Sequence, residues 1–108
     1  MKLPQVLLLF GCSGAAIAGQ CEQALLAYES CSALEYGVAF ERSTDSMCLK
    51  GDIDDSMADQ FAATVQTVQR MGGRIQYFVV ESPGGAITPA MDIAEQIERN
   101  GQPVVVGG

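Results

Sequence analysis

The run Ile75-Gln76-Tyr77-Phe78-Val79-Val80 constrains the fold more than any other stretch of this chain. It is almost continuously apolar and rich in β-branched and aromatic residues, the pattern of a strand buried on both faces, as in a parallel sheet. The turn Pro83-Gly84-Gly85 follows it, and helix-like segments lie on either side. Upstream, Ala58, Phe61, Ala62, Val65 and Val68 recur at three- and four-residue spacing, one apolar stripe facing a core. Asp54-Asp55-Ser56 opens that helix, with Ser56 as N-cap and Asp59 three positions later imitating a capping box. Met71-Gly72-Gly73 closes it. Downstream, Thr88 can cap a helix with Pro89 at its first position, where the missing N–H costs nothing. Ala90, Ile93, Ala94 and Ile97 form its buried stripe, Asn100-Gly101 ends it, and Val104-Val105-Val106 starts another strand.

The first half is less regular. Residues 23–34 predict a short helix with Ala24, Leu25, Tyr28 and Leu34 on one face. Residues 36–40 and 47–53 read as short strands on either side of the polar turn Ser43-Thr44-Asp45-Ser46. The order is therefore strand, helix, strand, helix, strand. Right-handed crossovers then give an α/β layer, a parallel sheet covered by helices. Sites in such sheets lie beyond the carboxyl ends of the strands, where the Gly-Gly turn sits.

Composition narrows the chemistry. The 108 residues hold one domain at most and include no His and no Trp. A Ser-His or Cys-His general-base pair therefore cannot be built from this chain alone. The four Cys lack paired C-x-x-C spacing, which argues against zinc, and nothing implies another cofactor. A net charge of −7 with scattered Lys and Arg argues against nucleic acid or an anionic membrane as partner. The five Met residues read as core filler.

The N-terminus reads as a cleaved secretory signal over residues 1–18. Met1-Lys2 supplies the basic end, Val6-Leu7-Leu8-Leu9-Phe10 the apolar core, and Ala16-Ile17-Ala18 the small residues before a cut ahead of Gly19. A second reading is lipid anchoring through Cys12, because Leu9-Phe10-Gly11-Cys12 approximates a lipobox. The apolar run is too short to span a bilayer, which takes about 20 residues, so no membrane span remains after signal removal. Loss of the leader carries Cys21, Cys31 and Cys48 into an oxidising compartment, periplasmic or extracellular. Ten residues along one straight helix put Cys21 and Cys31 about 15 Å apart, too far for a disulfide. Cys48 is therefore one partner, with Cys21 or Cys31 as the other. The expected division is a signal over 1–18, a helix and strand segment over 19–46, and an α/β domain over 47–108 that is incomplete at its C-terminal end.

Two glycines after a buried strand let the backbone approach a ligand closely, and amides beside a helix N-terminus stabilise negative charge. Gly84 and Gly85 are thus candidates for binding an oxyanion, a phosphate or a carboxylate. No Gly-Lys-Ser/Thr follows, so the turn is not a Walker loop. Ser82 reads as a turn residue satisfying nearby backbone groups. Asp52, Asp54, Asp55 and Asp92 read as helix-end and surface charges, and Glu81 as the structural partner of an Arg.

The segment Val79-Val80-Glu81-Ser82-Pro83-Gly84-Gly85-Ala86-Ile87-Thr88-Pro89-Ala90-Met91-Asp92-Ile93-Ala94 resembles the ClpP/crotonase superfamily. It is closest to the Clp protease proteolytic subunit and signal peptide peptidase A. Leu49-Lys50-Gly51-Asp52-Ile53-Asp54 resembles the family's opening strand, and the likeness covers residues 47–108. The resemblance implies a ClpP/crotonase-like fold and a serine endopeptidase whose oxyanion hole uses an amide of the Gly-Gly pair. Gly84 and Gly85 carry that role over, Gly84 as the nearer donor, and Ala86 and Ile87 line the cleft for an extended peptide or protein substrate. The family's nucleophilic Ser is expected on the helix after the strand at Val104, with its base later, both past Gly108. Self-association into a homo-oligomer is also implied. Two other readings stand beside this one: a non-catalytic protein binding a peptide or carboxylate, and a crotonase-type acyl-CoA enzyme. A secretory signal argues against the latter, since CoA is cytosolic.

Overall fold

A computed structural model, describing residues 6–8 and 18–106, arranges the chain as β1 (Val6–Leu8), α1 (Ala18–Ser30), β2 (Gly37–Glu41) and β3 (Ser46–Lys50), then α2 (Asp55–Arg70), β4 (Tyr77–Glu81), α3 (Ile87–Asn100) and β5 (Val104–Val106). The strands form one mixed sheet in the order β1-β5-β4-β3-β2. β3, β4, β5 and β1 run parallel, whereas β2 pairs antiparallel with β3 through a tight hairpin. The α/β expectation holds in this coarser form: the sheet is mixed rather than wholly parallel, because the short 42–45 connection permits only a hairpin.

Strand alternation sends side chains to two faces. On one face Met47, Leu49, Phe78 and Val104 meet Met57, Phe61, Val65 and Val68 of α2 and Ile93 and Ile97 of α3. Phe61 and Phe78, both fully buried, pack with ring centroids 5.8 Å apart and planes tilted by 45°. On the other face Cys48, Tyr77, Val79 and Val105 meet Ala24, Ala27 and Cys31 from α1 and the turn after it. β4 is thus covered on both sides, as its continuous apolar run predicts. The 19–46 segment shares this sheet with the rest of the chain.

Several local expectations are corrected. Asp54, not Ser56, caps α2: its Oδ1 accepts the Met57 N–H at 2.8 Å. α3 begins at Ile87 behind Ala86, with no side-chain cap, so Pro89 stands third in the helix, still among the positions needing no N–H partner. Its inward residues are Pro89, Ile93 and Ile97, while Ala94 is exposed. In α1 the inward residues are Ala24 and Ala27, and Leu25 faces outward at 45% exposure. Met47 and Met57 fill the core, but Met71 and Met91 are exposed.

Val6–Leu8, expected within the apolar core of a leader, pairs with β5 as an edge strand. Ala18 and Gly19, flanking the expected cut, start α1, while Cys12, Ala16 and Ile17 lie outside the described residues. No described helix is long and apolar enough to cross a membrane. Cys48 is disulfide-bonded to Cys31, which selects one of the two partners left open by spacing.

Candidate functional site at the carboxyl edge of the sheet

β3 and β4 end side by side, Lys50 opposite Glu81, and the chain leaves β4 through the predicted turn. Ser82 behaves as a turn residue: its Oγ accepts the Gly84 N–H at 3.0 Å and donates to the Gly84 carbonyl at 3.1 Å. One parallel bridge then fixes the turn against the entry to α2. The Ile53 N–H donates to the Gly84 carbonyl at 3.0 Å, and the Ala86 N–H to the Ile53 carbonyl at 2.9 Å.

The bridge explains both glycines. Gly84 takes φ +124°, a conformation that side chains rarely adopt, with open space where a Cβ would point. At Gly85 a Cβ would collide with the Ile53 carbonyl oxygen and lie 2.7 Å from its nitrogen, so the close approach itself demands glycine. A parallel bridge engages the neighbours of the bridged residue and turns its own N–H and C=O the opposite way. The Gly85 N–H therefore points away from Ile53 and has no hydrogen-bond partner among the described residues. Gly84's amide is occupied by Ser82, so the two glycines are not equivalent. Ala86 and Ile87 are exposed beside this amide, Ile87 at 77%, at the uncapped start of α3.

A second group of residues gathers behind the turn. Tyr28 Oη donates to Glu81 Oε1 at 2.7 Å, and Lys50 Nζ meets Oε2 at 3.0 Å, so both carboxylate oxygens are engaged. Glu81 was expected to pair with an Arg; its partners are a lysine and a tyrosine. The Tyr28 hydrogen bond, aided by that of Lys50, holds the Glu81 carboxyl below its ordinary range. The same bond, with burial, pushes the Tyr28 hydroxyl above its own. The crevice between Tyr28, the Cys31–Cys48 disulfide, Lys50 and Glu81 encloses about 10 Å³, no more than a water needs. This group is a clasp, not a pocket.

Comparison with known proteins finds no matching family model, no similar curated protein and no similar solved structure.

The structure brings Gly84, Gly85, Ala86 and Ile87 to one exposed rim. Asp54 and Asp55 serve the start of α2, and Asp52 and Asp92 are exposed. Among the described residues no three His, Cys, Asp or Glu side chains are placed to hold a metal ion. A groove of about 340 Å³ between α2 and α3, lined among others by Asp59, Asp92, Glu95 and Arg99, does not include the rim. Sequence reasoning missed Tyr28 and Lys50, which lie 53 and 31 positions before Glu81. Their one signal is that β3 and β4 end together, which makes Lys50 the natural cross-strand neighbour of Glu81.

Proposed function

We propose that this chain carries the carbonyl-polarising half of a ClpP-like serine endopeptidase acting outside the cytoplasm, with the Gly85 amide as oxyanion donor and Ala86 and Ile87 beside the bound peptide. The observation that carries the reading is that amide, unpartnered among the described residues. It lies beyond the carboxyl ends of the parallel strands β3 and β4, faces away from Ile53, and is flanked by an uncapped helix start. A preorganised donor of this kind is worth about 2.7–4 kcal/mol to a developing oxyanion. The Cys31–Cys48 disulfide supports an oxidising compartment.

A second reading, peptide or carboxylate binding without hydrolysis, is favoured by one observation. Ser82 is engaged in the turn's own hydrogen bonds, and with no His in the chain nothing activates it.

The test is an amide-resolved NMR titration with an apolar N-acetyl tetrapeptide, as free acid and as amide. Saturable shifts centred on Gly85 support both readings, and none at Gly85 overturns both. Gly85→Ala is expected to abolish binding and cost about 1–3 kcal/mol through collision with Ile53. Gly84→Ala should cost about 1 kcal/mol and leave binding intact. The DNA downstream of the Gly108 codon separates the readings. An encoded continuation with no Ser on the helix after β5 removes the peptidase and leaves the binder.

A further inference from the structure

The described residues of α1 bring little apolar surface to the sheet. Among them Ala24 and Ala27 are fully buried, Tyr28 packs partly buried against the same cluster, and Leu25 and Leu26 face outward. Two methyl groups contribute little transfer free energy, which scales with buried apolar area. The other ties of its described residues are polar or covalent. Tyr77 Oη donates to Gln23 Oε1 at 3.1 Å, Tyr28 reaches Glu81, and the Ser30 hydroxyl meets that of Thr44 at 2.6 Å. Water can replace each of these hydrogen bonds at small net cost. It cannot replace the Cys31–Cys48 bond, which joins the turn after α1 to the middle of β3. That bond lies one helical turn from Tyr28, and Cys48 stands two residues before Lys50 on the same face of β3. The covalent tie, the tyrosine and the lysine converge on Glu81, the last residue before the turn.

We propose that the Cys31–Cys48 disulfide is a redox latch on the rim: closed, it holds Tyr28 against Glu81 and so fixes the turn of residues 82–85; opened by a dithiol reductant, it lets α1 withdraw and the turn loosen. A reductant thiolate attacks one cysteine sulfur, and the S–S bond breaks as a mixed disulfide forms. The other cysteine sulfur leaves as a thiolate. The reductant's second thiolate then attacks the reductant sulfur of the mixed disulfide, closing its ring and expelling the cysteine sulfur first attacked. The protein gains two electrons and two protons as two thiols, and the dithiol becomes a cyclic disulfide. Both sulfurs belong to buried residues, so attack waits on opening of the turn at the end of α1. The device keeps the rim ordered only in an oxidising compartment, and its bearing on ligand binding rests on the reading of Gly85 above.

The test is amide hydrogen exchange on the full chain, oxidised and after excess dithiothreitol. Reduction is expected to speed exchange in α1 at least about tenfold, and with it the Gly84 and Ala86 amides, while α2, α3 and β4 stay protected. Acceleration of α1 alone overturns the latch, as does equal acceleration everywhere. Tyr28→Phe in the oxidised chain gives a second arm: Gly84 and Ala86 should accelerate while α1 remains protected. No change at these amides overturns the coupling. Affinity for the tetrapeptide amide separates the two proposals. Absence of binding in the oxidised chain defeats the Gly85 reading but leaves the exchange result standing, whereas equal affinity in both redox states defeats the latch.

Discussion

The two faces of the sheet are held by different physics. Against α2 and α3 the sheet presents Met47, Leu49, Phe78 and Val104 to a continuous apolar layer. Against the described residues of α1 and the turn after it, the sheet presents Cys48, Tyr77, Val79 and Val105 to two alanines, the partly buried Tyr28 and Leu34, a disulfide and two tyrosine hydrogen bonds. The first arrangement is non-directional and tolerates small shifts, because apolar attraction depends on area. The second is directional and sparse, so losing one tie changes where the helix sits. The apolar face builds the domain, and the sparsely tied face is the one that adjoins the candidate rim.

Four variants would break or sharpen this contrast. Phe61→Ala, at the centre of the apolar face, should cost about 3–5 kcal/mol in denaturant unfolding, with every probe reporting one transition. Replacing both Cys31 and Cys48 by Ala should cost about 3 kcal/mol, the scale for closing a loop of this length. Unlike the first, its effect on hydrogen exchange should fall mainly on α1, and uniform destabilisation would erase the distinction between the faces.

Tyr28→Phe should cost about 1 kcal/mol near neutral pH, and the loss should depend on pH. The Glu81 carboxyl is lowered in the fold, so the clasp's contribution is present above the unfolded value of about 4.3 and disappears as pH falls through the lower folded value. The Tyr28 hydroxyl is raised, so its contribution is complete below about pH 10 and is lost as pH rises through the higher folded value. The wild-type and Tyr28→Phe stability curves should therefore converge at both extremes. Curves that stay parallel would mean that the clasp does not bear on stability. Leu25→Gln, on the outward side of α1, should change stability by no more than about 0.5 kcal/mol. A larger loss would show that the outward side of α1 also contributes apolar burial.

The same contrast explains what was legible in the sequence. Helices that pack through Phe61, Val65 and Val68 or Ile93 and Ile97 announce themselves by spacing, and β4 by its unbroken apolar run. The turn at Gly84 and Gly85 was visible because few other residues tolerate such a path. α1 was misread because its inward stripe is mostly alanine, so periodicity favoured the larger Leu25 that in fact faces outward. Asp54 was passed over as a cap because Asp55 and Ser56 beside it are equally able to cap, and only the backbone at residue 54 decides. Spacing excluded one disulfide but could not choose between Cys21 and Cys31 for Cys48. The clasp joins residues far apart in the chain, and only the parallel register of β3 and β4 places them together.

The Ile53–Gly85 bridge has an electrical consequence as well as a steric one. By tying the entry of α2 to the entry of α3, it sets two helix beginnings side by side, each carrying about half a positive charge. Asp54 and Asp55 offset the first, while α3 has no acidic residue in its first turn. The molecule as a whole bears −7, a field that repels free anions until salt screens it over about 8–10 Å. An approaching carboxylate thus meets long-range repulsion before it reaches short-range attraction. A neutral peptide carbonyl meets only the attraction, and the rim is suited to partial negative charge that appears after arrival.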